Sequence, residues 1–392
     1  MEYSDNLLYK LWLSIVLGHN PTPINKAIKR FGSAEDIFNS DETYYKFLKS
    51  LKLTSRLTIK RKLDDAKALL EYCNENGISV ITIDDSRYPK RLKEIYSPPQ
   101  ILYVKGELPD FDNLITILIV GSRKCTEYSK EFTYNLAYNL ASSGFLVISG
   151  MANGIDSSAH RGALSAGNIT VAALAGGVDV IYPKENKTLY GEIISSGAVI
   201  SERPPQTIGR GSFYRERNRI LVGLSNGVII TEGEFKSGSS LTANWAITSN
   251  RDLFAVPGKP DDTSSQLPNS LIKDCAKLIT SSEDVLEEYL PVYPKEIENG
   301  LNLINAEKAN NIKPKNANNK LDSLIPIKPD FNKFDEKQRI ILEYLYKNKD
   351  KIHIDQISRD CDIEITELSF LIIQLLMAKA ILEFPGEYYQ IA

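Results

Sequence analysis

ITILIVGSRKCTEY (residues 115–128) reads as a buried strand that stops at Gly121, Ser122 and Arg123 and passes into a helical pattern from about Glu127 to Ser142. Its nearly unbroken apolar run fits a strand covered on both faces. Similar units follow. FLVISG spans 145–150 and precedes MANGIDSSAHRGALSAG; ITVAALAGGVDVIYP spans 169–183, AVISERPP 198–205, GVIITEGEFKSGSSLTANWA 227–246 and DLFAVPG 252–258. Short apolar runs alternating with helix-length segments predict an α/β fold: a Rossmann-like, doubly wound, mostly parallel sheet with helices on both faces.

In such a sheet the loops at the carboxyl ends of the strands gather at the ligand edge, beside helix N-termini that favour anions. Gly121, Gly150, Gly154, Gly176, Gly177 and Gly238 fall in those loops, where glycine lets a phosphate approach the backbone. FYRERNR (residues 213–219) places Phe213, Tyr214, Arg215, Arg217, Asn218 and Arg219 just before an apolar run. Aromatic rings beside a cationic rim hold single-stranded nucleic acid through base faces and phosphates. The alternative is an arginine-rich loop that caps helices and pairs with carboxylates. Convergence of several loops with Arg123, Arg215, Arg217, Arg219 and Lys236 favours a phosphate-binding rim.

The usual nucleotide fingerprints, G-x-G-x-x-G after the first strand and G-x-x-x-x-G-K-[ST], are absent. His19, His160 and His353 are scattered, with no visible metal cluster or triad. His160 reads as a structural hydrogen-bonding residue and Asp156 as a helix cap. No enzyme and no cofactor are expected.

SGMANGID with the following Ala159 and His160, VDVIYP, SERPP, the F-x-R-x-RNRI-x-x-GLS run ending at Ser225, KSGSSLTA and FAVPG occur in the order seen in the DprA/Smf family, DNA-processing protein A, which the chain resembles over residues 75–290. The resemblance implies a protein that binds and protects single-stranded DNA in natural transformation and loads the recombinase RecA, as a homodimer. By that resemblance Ser122, Arg123, Phe213, Arg217, Asn218, Arg219, Lys236, Ser237 and Gly238 would contact DNA; Gly150 and Arg215, from the loop and rim patterns, are expected to join them. Leu271, Ile272, Leu278 and Ile279 would form a self-association surface overlapping RecA's. Tyr214 departs from the family's usual proline, Ala175 from a glycine ending the third strand, and Cys275 from a glycine before alanine. The rival class is a nucleotide phosphoribohydrolase on a related fold; Glu232 is present, but the P-G-G-x-G-T loop is not. A nucleotide sensor using the same pocket is a third reading.

The 392 residues divide, by pattern, into a helical SAM or helix-hairpin-helix-like domain over 1–75, the extended core over 76–290, a flexible Asn/Lys/Pro-rich linker over 291–332 and a winged helix over 333–392. Residues 75–112 are expected to add a short strand. The third C-terminal helix carries acidic residues at its start and is almost wholly apolar, so it is not expected to read DNA. Cys73, Cys125, Cys275 and Cys361 lack CxxC spacing and imply a reducing interior. No run is long enough to span a bilayer, so a cytoplasmic protein without membrane partners is expected. The formal net charge is −3, so any DNA binding must come from a focused patch.

Overall fold

The computed structural model describes residues 4–19, 21–40, 63–310, 334–348, 352–377, 380–384 and 388–391. Two compact units form, Met1–Lys313 and Pro314–Ala392. The first is built on one nine-stranded sheet: β1 (Ile78–Thr82), β2 (Ile101–Gly106), β3 (Thr116–Val120), β4 (Leu146–Ser149), β5 (Thr170–Ala173), β6 (Ala198–Ser201), β7 (Gly227–Ile230), β8 (Asp252–Ala255) and β9 (Lys277–Leu278). Their spatial order is β1-β2-β6-β5-β4-β3-β7-β8-β9. The strands from β6 across to β9 are parallel; β1 and β2 pair antiparallel at one edge. The fold is α/β and Rossmann-like. The six apolar runs form β3 to β8, while residues 75–112 contribute two strands rather than one.

Alternation within the buried strands assigns the helices to faces. Ile117, Ile119, Val147 and Ile229 face one side, against α6 (Glu127–Ser142), α7 (Ile155–Ser165) and α12 (Glu283–Tyr289). Leu118, Val120, Ile148, Val228 and Ile230 face the other, against α9 (Gly211–Leu224), α10 (Gly238–Thr248) and α11 (Gln266–Asp274). The N-terminal helices α1 (Asp5–Val16), α2 (Pro21–Phe31), α3 (Ala34–Asn39) and α4 (Asp64–Glu75) share a core with Ile78, Tyr103, Val199 and α8 (Lys187–Ser196). Within FGSAEDIF (residues 31–38) the chain leaves α2 and restarts in α3 through a capping box: Ser33 Oγ accepts from Asp36 N–H while the Asp36 carboxylate accepts from Ser33 N–H. The four-residue α5 (Lys90–Lys93) packs under α9.

The expected self-association surface is only partly a surface. Leu271 faces inward from α11 and Ile279, whose N–H donates to Ala255 O at 3.0 Å, is fully buried, so both close the core. Leu278 remains 45% exposed and Ile272 half-buried.

In the second unit, α14 (Glu336–Asn348), α15 (Ile354–Cys361) and α16 (Ile365–Met377) accompany the antiparallel strands β10 (Ile352–His353), β12 (Tyr388–Ile391) and β11 (Ile381–Phe384), in that spatial order. Residues 385–387, between β11 and β12, lie outside the described residues. On α16, Phe370 and Ile373 are exposed, and the helix carries no lysine or arginine.

The linker expectation is corrected at its start. Pro294–Asn310 forms a helix, α13, whose Ile297 is buried beside Phe145 and Tyr289. The remainder, 311–332, lies outside the described residues. Two glycines permit this docking: a Cβ at Gly144 (φ +90°) would lie 2.4 Å from Ile297 O, and one at Gly300 would lie 1.7 Å from Gly144 O. Gly300→Ala gains about 1 kcal/mol of helix propensity but overpacks a backbone contact, typically about 1–3 kcal/mol and here with no flexible group to yield. Urea denaturation should therefore show a net loss of stability; a more stable variant would mean that α13 is not seated on the Gly144 turn.

Candidate nucleic-acid interface

The chain builds outward from β3 through β4, β5 and β6, then returns through α9 to place β7 on the other side of β3. Loops diverge at this reversal and open a crevice, the usual ligand position in such sheets. Close approach depends on missing side chains. A Cβ at Gly121 would lie 2.6 Å from Ile155 Cγ1 and 2.8 Å from Thr231 Oγ1, and one at Gly154 (φ +79°) would lie 2.5 Å from Ser122 O.

The aromatic and arginine run is the first half of helix α9, not a loop before a strand. Helical phase turns Arg217, Ile220, Leu221 and Leu224 inward and leaves Arg215 exposed, with Phe213 and Tyr214 half-buried. Buried Arg217 donates from Nη1 to Gly150 O at 2.9 Å and to Ala173 O, and from Nε to Asn218 Oδ1 at 3.1 Å. A Cβ on Gly150 would lie 2.4 Å from this guanidinium, so a larger residue there would displace Arg217. Asp156 sits in the first turn of α7, accepts from Ala152 N–H at 3.2 Å and faces the same cleft. Burial pushes the Asp156 carboxyl up and the Arg217 guanidinium down, and their mutual attraction opposes both shifts. His160, fully buried with Nδ1 2.8 Å from Thr170 Oγ1, is pushed down to about 3 by burial and then by Arg217, and is neutral near pH 7.

Arg219 corrects the expected rim most clearly. It is buried in an ion pair with Glu202, whose carboxyl is pushed up by burial and pulled back by Arg219 and Arg203. Arg203 in turn pairs with Glu216, donates to His19 O at 3.2 Å and covers the Phe213 ring at 4.1 Å. Pairing with carboxylates, the alternative reading of this segment, therefore holds for Arg219. One face of Phe213 is also occupied.

What remains is a cleft of about 550 Å³ that brings together Ser122, Arg123, Arg215, Arg217, Asn218, Ser237 and Gly238. Arg123, Lys124 and Arg215 are exposed on it, and Lys236 is exposed on the loop that supplies Ser237. None of the four forms an ion pair among the described residues. Ser237 caps α10, accepting from Ser240 N–H at 3.4 Å, and Asn218 donates to Thr242 Oγ1 at 2.9 Å, tying α9 to α10. Arg123 Cζ lies 5.1 Å from the Tyr214 ring, which lies 6.0 Å from that of Tyr182. Tyr182, 57% exposed, and Lys124 escaped the sequence reading, although VDVIYP ends a β5 loop on this edge.

Arg217→Ala should destabilise the fold by about 3–5 kcal/mol, because it leaves Asp156 and two strand-end carbonyls buried without their cation. Arg123→Ala, at an exposed site, should change stability by less than about 0.5 kcal/mol. Equal denaturation midpoints for the two variants would refute this division.

The profile of the family described as DNA recombination-mediator protein A matches residues 79–290. The chain is 40% identical to the DNA processing protein DprA of Bacillus subtilis over 214 residues, 55% of this chain and 72% of that protein. It is 37% identical to DprA of Streptococcus pneumoniae over 228 residues, 58% and 79% of the two chains. The X-ray structure of S. pneumoniae DprA superposes with a TM-score of 0.60 at 31% identity, covering 74% of this chain and 99% of that one. DNA processing protein A of Helicobacter pylori, whose structure is described as revealing a unique single-stranded DNA binding mode, superposes with a TM-score of 0.50 at 30% identity, covering 55% and 97%. With a profile match across more than half its length, laid over the sheet and cleft just described, the chain belongs to the DNA recombination-mediator protein A family, DprA/Smf.

Proposed function

We propose that the chain binds single-stranded DNA along this cleft, with phosphates over Arg123, Lys124, Arg215 and Lys236 and bases on the Tyr214–Tyr182 rim. It acts without catalysis, protecting strands taken up in transformation and handing them to RecA. The observation that carries this reading is the set of four exposed, unpaired cations on one edge of a chain whose formal net charge is −3. The single-stranded DNA binding described for the H. pylori relative supports it. The second unit is read as a winged helix, with β10 ahead of its last two helices and the antiparallel β11 and β12 after them; α16, lacking cations, adds nothing to the DNA contact. Self-association is assigned to Leu278 and Ile272.

Arg123→Ala, Arg215→Ala and Lys236→Ala should each lower the magnitude of the salt slope by about 0.7, the value for one lost phosphate on a single strand. Tyr182→Ala or Tyr214→Ala should instead cost about 1–3 kcal/mol of affinity with the slope unchanged, because stacking releases no counterions. Fluorescence anisotropy on an oligothymidylate at several salt concentrations decides this, and identical slope changes for Tyr182→Ala and Arg123→Ala would sink it.

Leu278→Asp should yield a folded protein that sediments as a monomer where the parent chain is a dimer. A parent chain that is monomeric at micromolar concentration, or a variant that remains dimeric, would remove the self-association assignment.

A further inference from the structure

A second hollow, of about 720 Å³, opens on the α6 side of the β7 end. The first turns of α6, the end of β7 and the loop after β8 wall it. It adjoins the cationic cleft without belonging to it: Thr231 and Glu232 line the hollow, whereas Glu234 and Ser237 line the cleft. The turn after β7 stands between the two. Its backbone is tied down, because Ser237 N–H donates to Glu234 O at 3.1 Å, Gly233 N–H to Ser264 O at 2.6 Å and Leu267 N–H to Gly233 O at 3.0 Å.

Two aromatic rings stand in water along this line. Phe235, within the turn, is 54% exposed, and Tyr128, on the hollow, is 70% exposed. The Tyr128 ring lies 6.3 Å from that of half-buried Phe132, tilted by 31°, and Phe132 continues with Val256 and Pro257 as an apolar wall. Each exposed ring is accompanied by a lysine: Lys236 follows Phe235 in the chain, and Lys259, exposed on the loop after β8, lines the hollow with Tyr128. Neither lysine forms an ion pair among the described residues. The carboxylates of the hollow are buried or engaged. Glu232 is only 2% exposed, and Asp262 accepts from Ser264 N–H at 2.9 Å and Ser264 Oγ at 2.8 Å. One exposed aromatic side chain is ordinary on a protein surface. Two of them, with two unpaired lysines, on the path from a cationic cleft to an apolar-walled hollow repeat the ring and cation arrangement of the cleft itself.

We propose, resting on the cleft reading above, that the bound strand runs on past the cleft: it crosses the β7 turn against Phe235, lays a further base on Tyr128 in the hollow and brings a phosphate to Lys259. From the end of β7 to the loop after β8 is one strand spacing, about 4.8 Å, so the extension takes about one or two nucleotides. Its contacts are base faces and a phosphate, which carry no base identity. The hollow therefore sets the length of strand held and not its sequence.

Fluorescence anisotropy of the full chain on oligothymidylates of about 4 to about 12 nucleotides, within the range of single-strand site sizes, tests it. Short oligomers stay in the cleft, where the cations are, and affinity should climb with length until the hollow is filled. Tyr214→Ala should weaken binding at every length, whereas Tyr128→Ala and Phe235→Ala should weaken only the longer oligomers, each by about fivefold or more, the worth of one stacked base. Tyr128→Phe, which keeps the ring, should restore the longer-oligomer affinity. Lys259→Ala should lower the magnitude of the salt slope by about 0.7, again for the longer oligomers alone. All three positions are exposed, so the variants should melt with the parent chain. Tyr128→Ala that binds like the parent at every length, or that weakens short and long oligomers equally, overturns the extension. A parent chain that binds no oligothymidylate removes the cleft reading and the extension together; parent binding that Tyr214→Ala weakens and Tyr128→Ala does not removes the extension alone.

Discussion

A guanidinium sealed beneath the ends of two neighbouring strands sets most of what the surrounding loops can do. Arg217 satisfies the carbonyls of Gly150 and Ala173, where β4 and β5 end and the sheet ladder no longer supplies partners. It occupies the volume a side chain at residue 150 would need, so a larger residue there would push the guanidinium off those carbonyls. The rotation of α9 that buries Ile220, Leu221 and Leu224 also brings the guanidinium to those carbonyls and turns Arg215, two residues earlier, outward.

Charge is sorted accordingly. Arg219 with Glu202, and Arg203 with Glu216, hold the β6 end against α9, and Arg203 extends the connection to His19 between the first two helices. Such buried pairs add little field outside, since each cation is neutralised where it sits. Arg123, Lys124, Arg215 and Lys236 form no ion pair among the described residues and stand exposed at one edge of a chain of formal net charge −3, with Asp156 and Glu234 lining the same cleft.

The end of β7 divides that edge. Gly121 lets the chain leaving β3 lie against Thr231 at the end of β7 and Ile155 of α7. On the α9 and α10 side lies the cleft that holds Arg123, Lys124 and Arg215; on the α6 side, beside Thr126, Tyr128 and Phe132, lies a second hollow with Glu232 buried in its lining.

The sheet was legible because its evidence is local: apolar runs of strand length and glycines at their ends report burial on two faces without reference to anything distant. The extent of α6 was legible for the same reason. The fate of individual arginines was not. FYRERNR has the same composition whether its cations face solvent or carboxylates, and the carboxylate that claims Arg219 lies 17 residues away on another element. Likewise NGLNL in the presumed linker gives no sign that Gly300 meets Gly144, and Ile279 has the same hydropathy buried or exposed. Sequence determined which residues could bind an anion or bury a side chain. Tertiary structure decided which of them were left free to do so, because a charge or an apolar side chain is spent by whichever partner the fold brings within contact distance.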